Sequence, residues 1–301
     1  MEETELEPVI THPNFEMQMP DLDGIWPGVE KLNKDLKEAA ENLDPRAIRF
    51  TVDTFYQIQG IRKATNNRAF AAEDTEEPHA LWQWFFKNFK GMENEAKKAL
   101  TSYTYAHPLW QNWCANVEGM GPVLFSNIVA RLDITRPGIS AGNWNSFAGL
   151  NPDMVWEAGK LRPFNRKLKT ALWLTGECFA KIKGFYHDVI VERKAYEVKK
   201  NENGDYADQA EKRLNGPNKV GKTTVAYKSY IVGKLPKGHI HQRCKRYAVK
   251  LFLSHLFEVW HTIHFGVRPG KPYIIAVGGH KDYIPPPHFD FEPFIKPGVI
   301  Q

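Results

Sequence analysis

The chain lacks any hydrophobic run long enough to cross a membrane, because no stretch approaches the roughly eighteen apolar residues that a transmembrane helix requires. Its first residues, MEETELEPVI, are acidic, whereas a secretory signal starts with basic residues and continues with an apolar segment. We therefore expect a protein of the cytoplasm with no membrane partner.

Cysteine is also scarce. Cys114, Cys178 and Cys244 are the only three cysteines in 301 residues, and they lie far apart. This spacing excludes a disulfide framework and is typical of a reducing compartment. The pattern His239-x-His241-x-x-Cys244 contains the residue types of a zinc site, but no second closely spaced pair completes four ligands. We expect no metal there, and three small buried cysteines.

Acidic residues are few in one part of the chain. Residues 160–250 contain 22 Lys or Arg against 8 Asp or Glu, whereas residues 1–100 contain 12 against 19. An acidic first part followed by a basic second part is typical of proteins that bind the phosphate backbone of nucleic acids. The alternative is that the basic side chains only solvate helix surfaces.

The hydrophobic pattern is helical through most of the chain, which predicts an all-α fold. The long stretches 45–72 and 78–103 favour a helical hairpin or a coiled-coil-like region, and the apolar stripe in the second allows either packing within the chain or a homo-oligomer. Shorter helices are predicted at 29–41, 109–117, 122–132, 165–182 and 241–265.

Composition and turn residues divide the chain into six segments. These are an extended acidic leader (1–27), a long-helix hairpin region (28–106), a helix-hairpin-helix domain (107–198), a basic flexible insertion (199–238), the closing helix of that domain (239–273) and a Pro-rich tail (274–301).

A candidate phosphate-binding turn lies at Gly119-Met120-Gly121-Pro122-Val123, between a hydrophobic helix and an amphipathic one. The glycines permit a sharp reversal, Pro122 suits a first helical turn, and free amides at a helix start attract an anionic oxygen. These features predict a helix-hairpin-helix that holds a nucleic-acid backbone. The alternative is an ordinary tight turn between packed helices.

A second candidate contact is a group of cations around the start of the next long helix. Its members are Lys160, Arg162, Asn165, Arg166, Lys167 and Lys169. They would neutralise phosphates, and affinity should then fall with salt with a logarithmic slope of about −0.9 per phosphate contacted. Trp144 and Trp156 flank the group, where they either stack on unpaired bases or pack in the core.

Several motifs occur together over roughly residues 78–180: HP at 107–108, VEGMGP at 117–122, FAGLNP at 147–152, GK at 159–160 and NRKLKTAL at 165–172. Together they resemble the carboxy-terminal domain of the IS-one-ten and IS-one-sixteen insertion-sequence transposases. Those enzymes combine a RuvC-like nuclease domain, a coiled-coil connector and this helix-hairpin-helix domain, and they recombine DNA under RNA guidance. The resemblance implies a module that engages DNA or RNA.

Two departures from the family pattern concern catalysis. Family members carry a catalytic serine immediately before the Gly-Lys or Gly-Gly pair, whereas Ala158 stands there in this chain, and alanine is not a nucleophile. Residues 1–106 also have no hydrophobic strands bearing carboxylates, so no RuvC-like domain is expected. A replacement serine such as Ser140 or Ser146 would need a positioned base. A third departure is Phe125, which stands where the two helices should meet at a small residue. We expect no catalytic residue and no cofactor, apart from the alternative of a divalent metal that bridges hairpin and phosphate.

Residues 216–223, GPNKVGKT, fit the letters of a nucleotide-binding P-loop. A P-loop follows a buried strand and begins a helix, and the polar residues before this one do not predict a strand. We expect a flexible basic loop instead.

The leading hypothesis is a catalytically inactive DNA-binding protein, accessory to a mobile element or phage in a bacterial cell. The sequence leaves open whether its target is plain duplex DNA or branched or structured DNA. RNA is an alternative target. The enzyme alternative is an active transposase or recombinase that works with a nuclease domain on another chain. The third hypothesis is a helical scaffold that binds RNA or acidic proteins.

Overall fold

The computed structural model describes residues 28–71, 79–151, 154, 156–157, 159–217, 219–270 and 283–290, without the side chains of residues 79 and 80. Every regular element in these ranges is a helix, which confirms the all-α prediction. None of the helices in these ranges is both long and apolar enough to cross a membrane. The predicted leader 1–27 lies outside the described residues, as does most of the tail.

Eleven α-helices and one 3-10 helix occur in the described ranges. They are α1 (Lys34–Glu41), α2 (Pro45–Ala71), α3 (His79–Ala106), α4 (Pro108–Asn112), a 3-10 helix (Cys114–Asn116), α5 (Pro122–Val129), α6 (Ala141–Phe147), α7 (Arg166–Lys181), α8 (Phe185–Glu202), α9 (Ala207–Leu214), α10 (Val225–Ile231) and α11 (Lys237–Phe265). The described residues form two compact units, one made of those within 1–32 and 55–95 and one made of those within 33–54 and 96–301.

In the smaller unit, charged and polar side chains link the two long helices. Arg62 of α2 forms an ion pair with Glu93 of α3, and Gln59 donates to the same carboxylate at 2.9 Å. These hydrogen bonds outweigh partial burial and hold the pKa of Glu93 below its ordinary value. Gly91 of α3 approaches Val29 so closely that a Cβ built on it would lie 2.8 Å from a methyl carbon of that valine.

The larger unit is built around α11. Its side chains Cys244, Ala248, Phe252 and Val259 are buried, and α7 and α8 pack along it. Phe252 stacks on Trp113 with ring centroids 5.9 Å apart. Apolar positions spaced three and four residues apart face these neighbours, so burial of that stripe holds the helix in place.

Helix α8 was not predicted from the sequence. It supplies Tyr186, one member of a buried polar pair. The hydroxyl of Tyr186 lies 2.8 Å from Nδ1 of His255, and Nε2 of that histidine lies 2.9 Å from the carbonyl oxygen of Ile284. Trp113 also donates to the carbonyl of Pro287 at 2.7 Å. These bonds satisfy polar atoms that would be costly to bury alone, and they attach residues 283–290 to the core.

The segment 199–238, which was predicted to be a basic flexible insertion, contains the end of α8 and the helices α9 and α10. Tyr206, Ala210 and Tyr230 are buried there. The hydroxyl of Tyr206 donates to the buried carboxylate of Glu197, which is also held by Arg193 and Arg243. A few apolar residues and one satisfied carboxylate order a segment whose composition is mostly polar.

Two further differences concern short helices. The predicted helix 109–117 is divided into α4 and a 3-10 helix, because Trp113 between them adopts φ −153°, far from helical values. Helix α6 was missed because its seven residues are too few to show a helical period, although Ser140 caps it with a hydroxyl that accepts from the backbone amide of Asn143.

Candidate nucleic-acid interface

The first candidate site is the turn between the 3-10 helix and α5. Gly119 adopts φ +86°, which favours glycine, and a Cβ there would lie 3.5 Å from Cys178 and Phe179 of α7. The turn therefore packs directly against the carboxy-terminal half of α7. Gly121 is different, because its φ of −106° is ordinary and a Cβ there would meet nothing within 4 Å.

The start of α5 exposes amide groups rather than side chains. Gly121 is the N-cap and has no side chain to cap the helix, and Pro122 occupies the first turn. Within the part of the chain that the structure describes, the amides of Gly121, Val123 and Leu124 have no acceptor. Free amides and the helix dipole together favour an anion at this end of α5.

Met120 offers such a site neither a free amide nor an exposed side chain. Its side chain is buried in the core, and its amide donates to the carbonyl of Val117 at 3.1 Å. Phe125, which stands where a small residue was expected, is also buried and packs edge-to-face on His107 and Trp110 at 5.3 Å. Aromatic contacts of Phe125 therefore hold α5 against α4.

The second candidate site surrounds the start of α7. Asn165 is its N-cap, and its side-chain oxygen accepts from the amide of Leu168 at 3.0 Å. This hydrogen bond gives Asn165 a role in folding. Its backbone amide donates to the carbonyl oxygen of Phe147 at 2.8 Å, so Phe147 helps to fix where α7 begins.

Lys167 is partly neutralised within the chain. Its ammonium group lies 2.6 Å from the carboxylate of Asp53, which Arg131 also contacts at 2.7 Å. Although burial opposes ionisation, hydrogen bonds from these two cations hold the pKa of Asp53 below its ordinary value. Lys160 likewise forms an exposed ion pair with Glu157.

Two other cations lie over aromatic rings. The guanidinium of Arg162 is 4.6 Å from the ring centroid of Trp156, and the ammonium of Lys169 is 4.3 Å from that of Phe164. Gly149 makes room for this arrangement: it adopts φ +66°, and a Cβ on it would lie 2.7 Å from the Phe164 ring. The glycine of the FAGLNP motif is therefore needed to seat Phe164 beneath Lys169.

Sequence reasoning missed the cations of α11 that stand beside α7. Arg246 lines a cavity together with Lys169. The pKa of Arg246 is lowered mainly by burial and further by the nearby positive charge of Arg243. Burial, and then the charges of Arg246 and Arg162, lower the pKa of Lys169. Arginines at 243 and 246 share a helix face, but only the packing of α11 on α7 reveals which basic residues are neighbours.

We call Arg162, Arg166, Lys169 and Arg246 the α7–α11 basic surface. Among the described residues, none of the four forms an ion pair with a carboxylate. The repulsion of Lys169 by Arg162 and Arg246 is therefore not offset by an ion pair, which is the arrangement that an anionic ligand stabilises.

The two candidate sites lie at opposite ends of α7. Gly119 packs near Cys178, whereas Lys167 and Lys169 are in the first turn, and the eleven residues from Lys167 to Cys178 span roughly 16 Å of helix. The cations nearest in sequence to the hairpin contact are instead Lys181 and Lys183, both exposed. A ligand that touches both sites must be extended, as a nucleic-acid backbone is.

Other candidates from the sequence find less support. Trp144 is buried in the core, and Ser140 caps α6. Residues 216–223 follow α9, and the described residues include no strand that a P-loop would need. No group of three metal-ligating side chains occurs among the described residues. Ala158 lies outside them.

Comparisons of the chain with protein-family models, with curated proteins and with solved structures found no match.

Proposed function

We propose that the chain binds DNA through its phosphate backbone, using the α7–α11 basic surface and the amides at the start of α5. The observation that carries the proposal is the group of four cations without acidic partners among the described residues. Contacts of this kind position a duplex without reading its bases.

The resemblance to the carboxy-terminal domain of the IS-one-ten transposases supports the same proposal. In this interpretation, the 3-10 helix, the turn at Gly119 and α5 correspond to the helix-hairpin-helix, and α2 and α3 to the coiled-coil connector. Because Ala158 replaces the family serine, we propose an accessory protein of a mobile element or phage that binds DNA without cutting it.

The test is fluorescence anisotropy with labelled duplex, four-way-junction and single-stranded DNA and with RNA, each across a salt series. Contacts from all four cations of the α7–α11 basic surface predict a logarithmic salt slope of about −3 to −4 for duplex DNA. Arg246→Glu should weaken binding at least tenfold, because it replaces a phosphate contact with repulsion. Lys37→Glu on α1 makes the same charge change outside this surface and is the matched control.

The hairpin has its own variant. Gly121→Glu has room for its Cβ and an ordinary backbone angle, so the fold should persist while the carboxylate repels phosphate. Gly121→Gln is the neutral control and should bind DNA more tightly than the Glu variant. Wild-type protein that binds no DNA at low salt would contradict the proposal. Stronger binding of RNA than of any DNA would favour the scaffold hypothesis.

A further inference from the structure

The cavity between α7 and α11 has the chemistry of a nucleotide site. It has a volume of about 330 Å³, which is within the lower range of small-ligand pockets. Its lining includes buried Leu172 and Val249, and Gly176 brings the two helices together, since a Cβ there would lie 3.1 Å from a methyl carbon of Val249. One part of the cavity lining is therefore apolar.

An aromatic ring and cations complete the lining. Trp173 is 53% exposed, so much of its indole is open to a ligand. Lys169 and Arg246 line the same cavity, as does the exposed amide side chain of Gln242. A flat aromatic group suits the indole and the apolar part of the lining, an anion suits the two cations, and the amide can both donate to and accept from a polar edge.

We propose that this cavity holds one unpaired nucleotide of a bound DNA strand, with the base against Trp173 and the adjacent phosphate at Lys169 and Arg246. The proposal rests on DNA binding by the α7–α11 basic surface, two members of which line the cavity. A base within a duplex is stacked and cannot enter, so the nucleotide must come from a bulge, a junction or a single strand. The cavity therefore gives the protein a preference for structured DNA.

Lys245 also lines this cavity, but its charge is already paired. Its ammonium group pairs with Glu177 and lies 5.8 Å from the centroid of the Trp173 ring. Because Glu177 neutralises this cation, Lys169 and Arg246 are the cations of the lining that remain for the phosphate. Trp173 is thus supported from α11 while much of its surface stays open.

The experiment compares three labelled DNAs that differ at one position: a perfect duplex, the same duplex with a single bulged adenine, and the same duplex with an abasic bulge. Wild-type protein should bind the adenine bulge at least fivefold more tightly than the perfect duplex, in line with the lower end of base–aromatic stacking. The abasic bulge should show no such preference, because it has the flexible backbone but no base.

The matched variants are Trp173→Ala and Trp173→Phe. The alanine variant should lose the preference and keep its affinity for perfect duplex, whereas the phenylalanine variant should retain most of both. With 2-aminopurine in the bulge, stacking should quench the fluorescence in wild type and not in the alanine variant. Circular dichroism of both variants checks that the exposed substitution leaves the helices intact.

The possible results separate this inference from the proposed function. Equal affinity of wild type for perfect and bulged duplexes would overturn the nucleotide site and leave DNA binding standing. A preference that survives with the abasic bulge, or in Trp173→Ala, would show recognition of bent DNA and also overturn it. Absence of binding to all three DNAs would overturn both proposals.

Discussion

Gly149→Ala offers the sharpest test of how the FAGLNP segment supports the basic surface. Gly149 has φ +66°, where an alanine costs about 1–2 kcal/mol, and its new methyl would lie 2.7 Å from the Phe164 ring. Moving that ring adds the cost of overpacking, about 1–3 kcal/mol. We therefore expect the free energy of unfolding to fall by about 2–5 kcal/mol.

Gly138→Ala separates the two contributions. Gly138 has nearly the same backbone angle, φ +69°, but a Cβ there meets nothing within 4 Å. Its substitution should cost only the backbone strain of about 1–2 kcal/mol. Urea unfolding followed by circular dichroism measures both variants, provided that the slope with denaturant is unchanged.

The Gly149 variant should also bind DNA more weakly, because Phe164 lies beneath Lys169. The control variant Gly138→Ala should bind as wild type does. Equal losses of stability in the two variants would refute the proposed packing of Gly149 on Phe164. Normal DNA binding by a folded Gly149→Ala protein would refute the link between that packing and the basic surface.

Three more predictions concern charges and buried polar groups. Asp53→Asn should free Lys167 for a phosphate and make the salt slope of DNA binding steeper by about 0.9, measured by anisotropy; an unchanged slope would contradict this. Burial lowers the pKa of His255 to about 4, below its value in the unfolded chain. The free energy of unfolding should therefore be highest above pH 6.5 and should fall as the pH drops toward 4. This group should contribute up to about 1.4 kcal/mol of that fall per pH unit. Burial lowers the pKa of His107 to about 4 as well, so this histidine adds to the same fall. In urea unfolding at each pH, a His255→Asn variant should therefore lose less stability toward pH 4 than wild type, but it should still lose some. Tyr186→Phe should cost about 1–3 kcal/mol, because Nδ1 of the buried histidine loses its partner; an unchanged unfolding midpoint would show that this hydrogen bond contributes nothing.

Local signals were sufficient for the long helices. The periodicity of residues 45–72 and 165–182 predicted α2 and α7 to within one residue at each end, because Pro45 and Asn165 mark their starts and because an apolar stripe persists through both. The sequence pattern did not reveal α9 and α10, whose order depends on a few buried side chains and on the carboxylate of Glu197 from another helix.

The sequence by itself determined the helical class, the free cysteines, the glycine turn before α5 and the concentration of positive charge after residue 160, because each depends on residue types and short spacings. Only the tertiary structure decided which cations face one another. Packing of α11 on α7 brings Arg246 to Lys169, while Asp53, more than a hundred residues away in sequence, neutralises Lys167. Electrostatic interactions depend on distances in space, and no local pattern of residues encodes the distance between two helices.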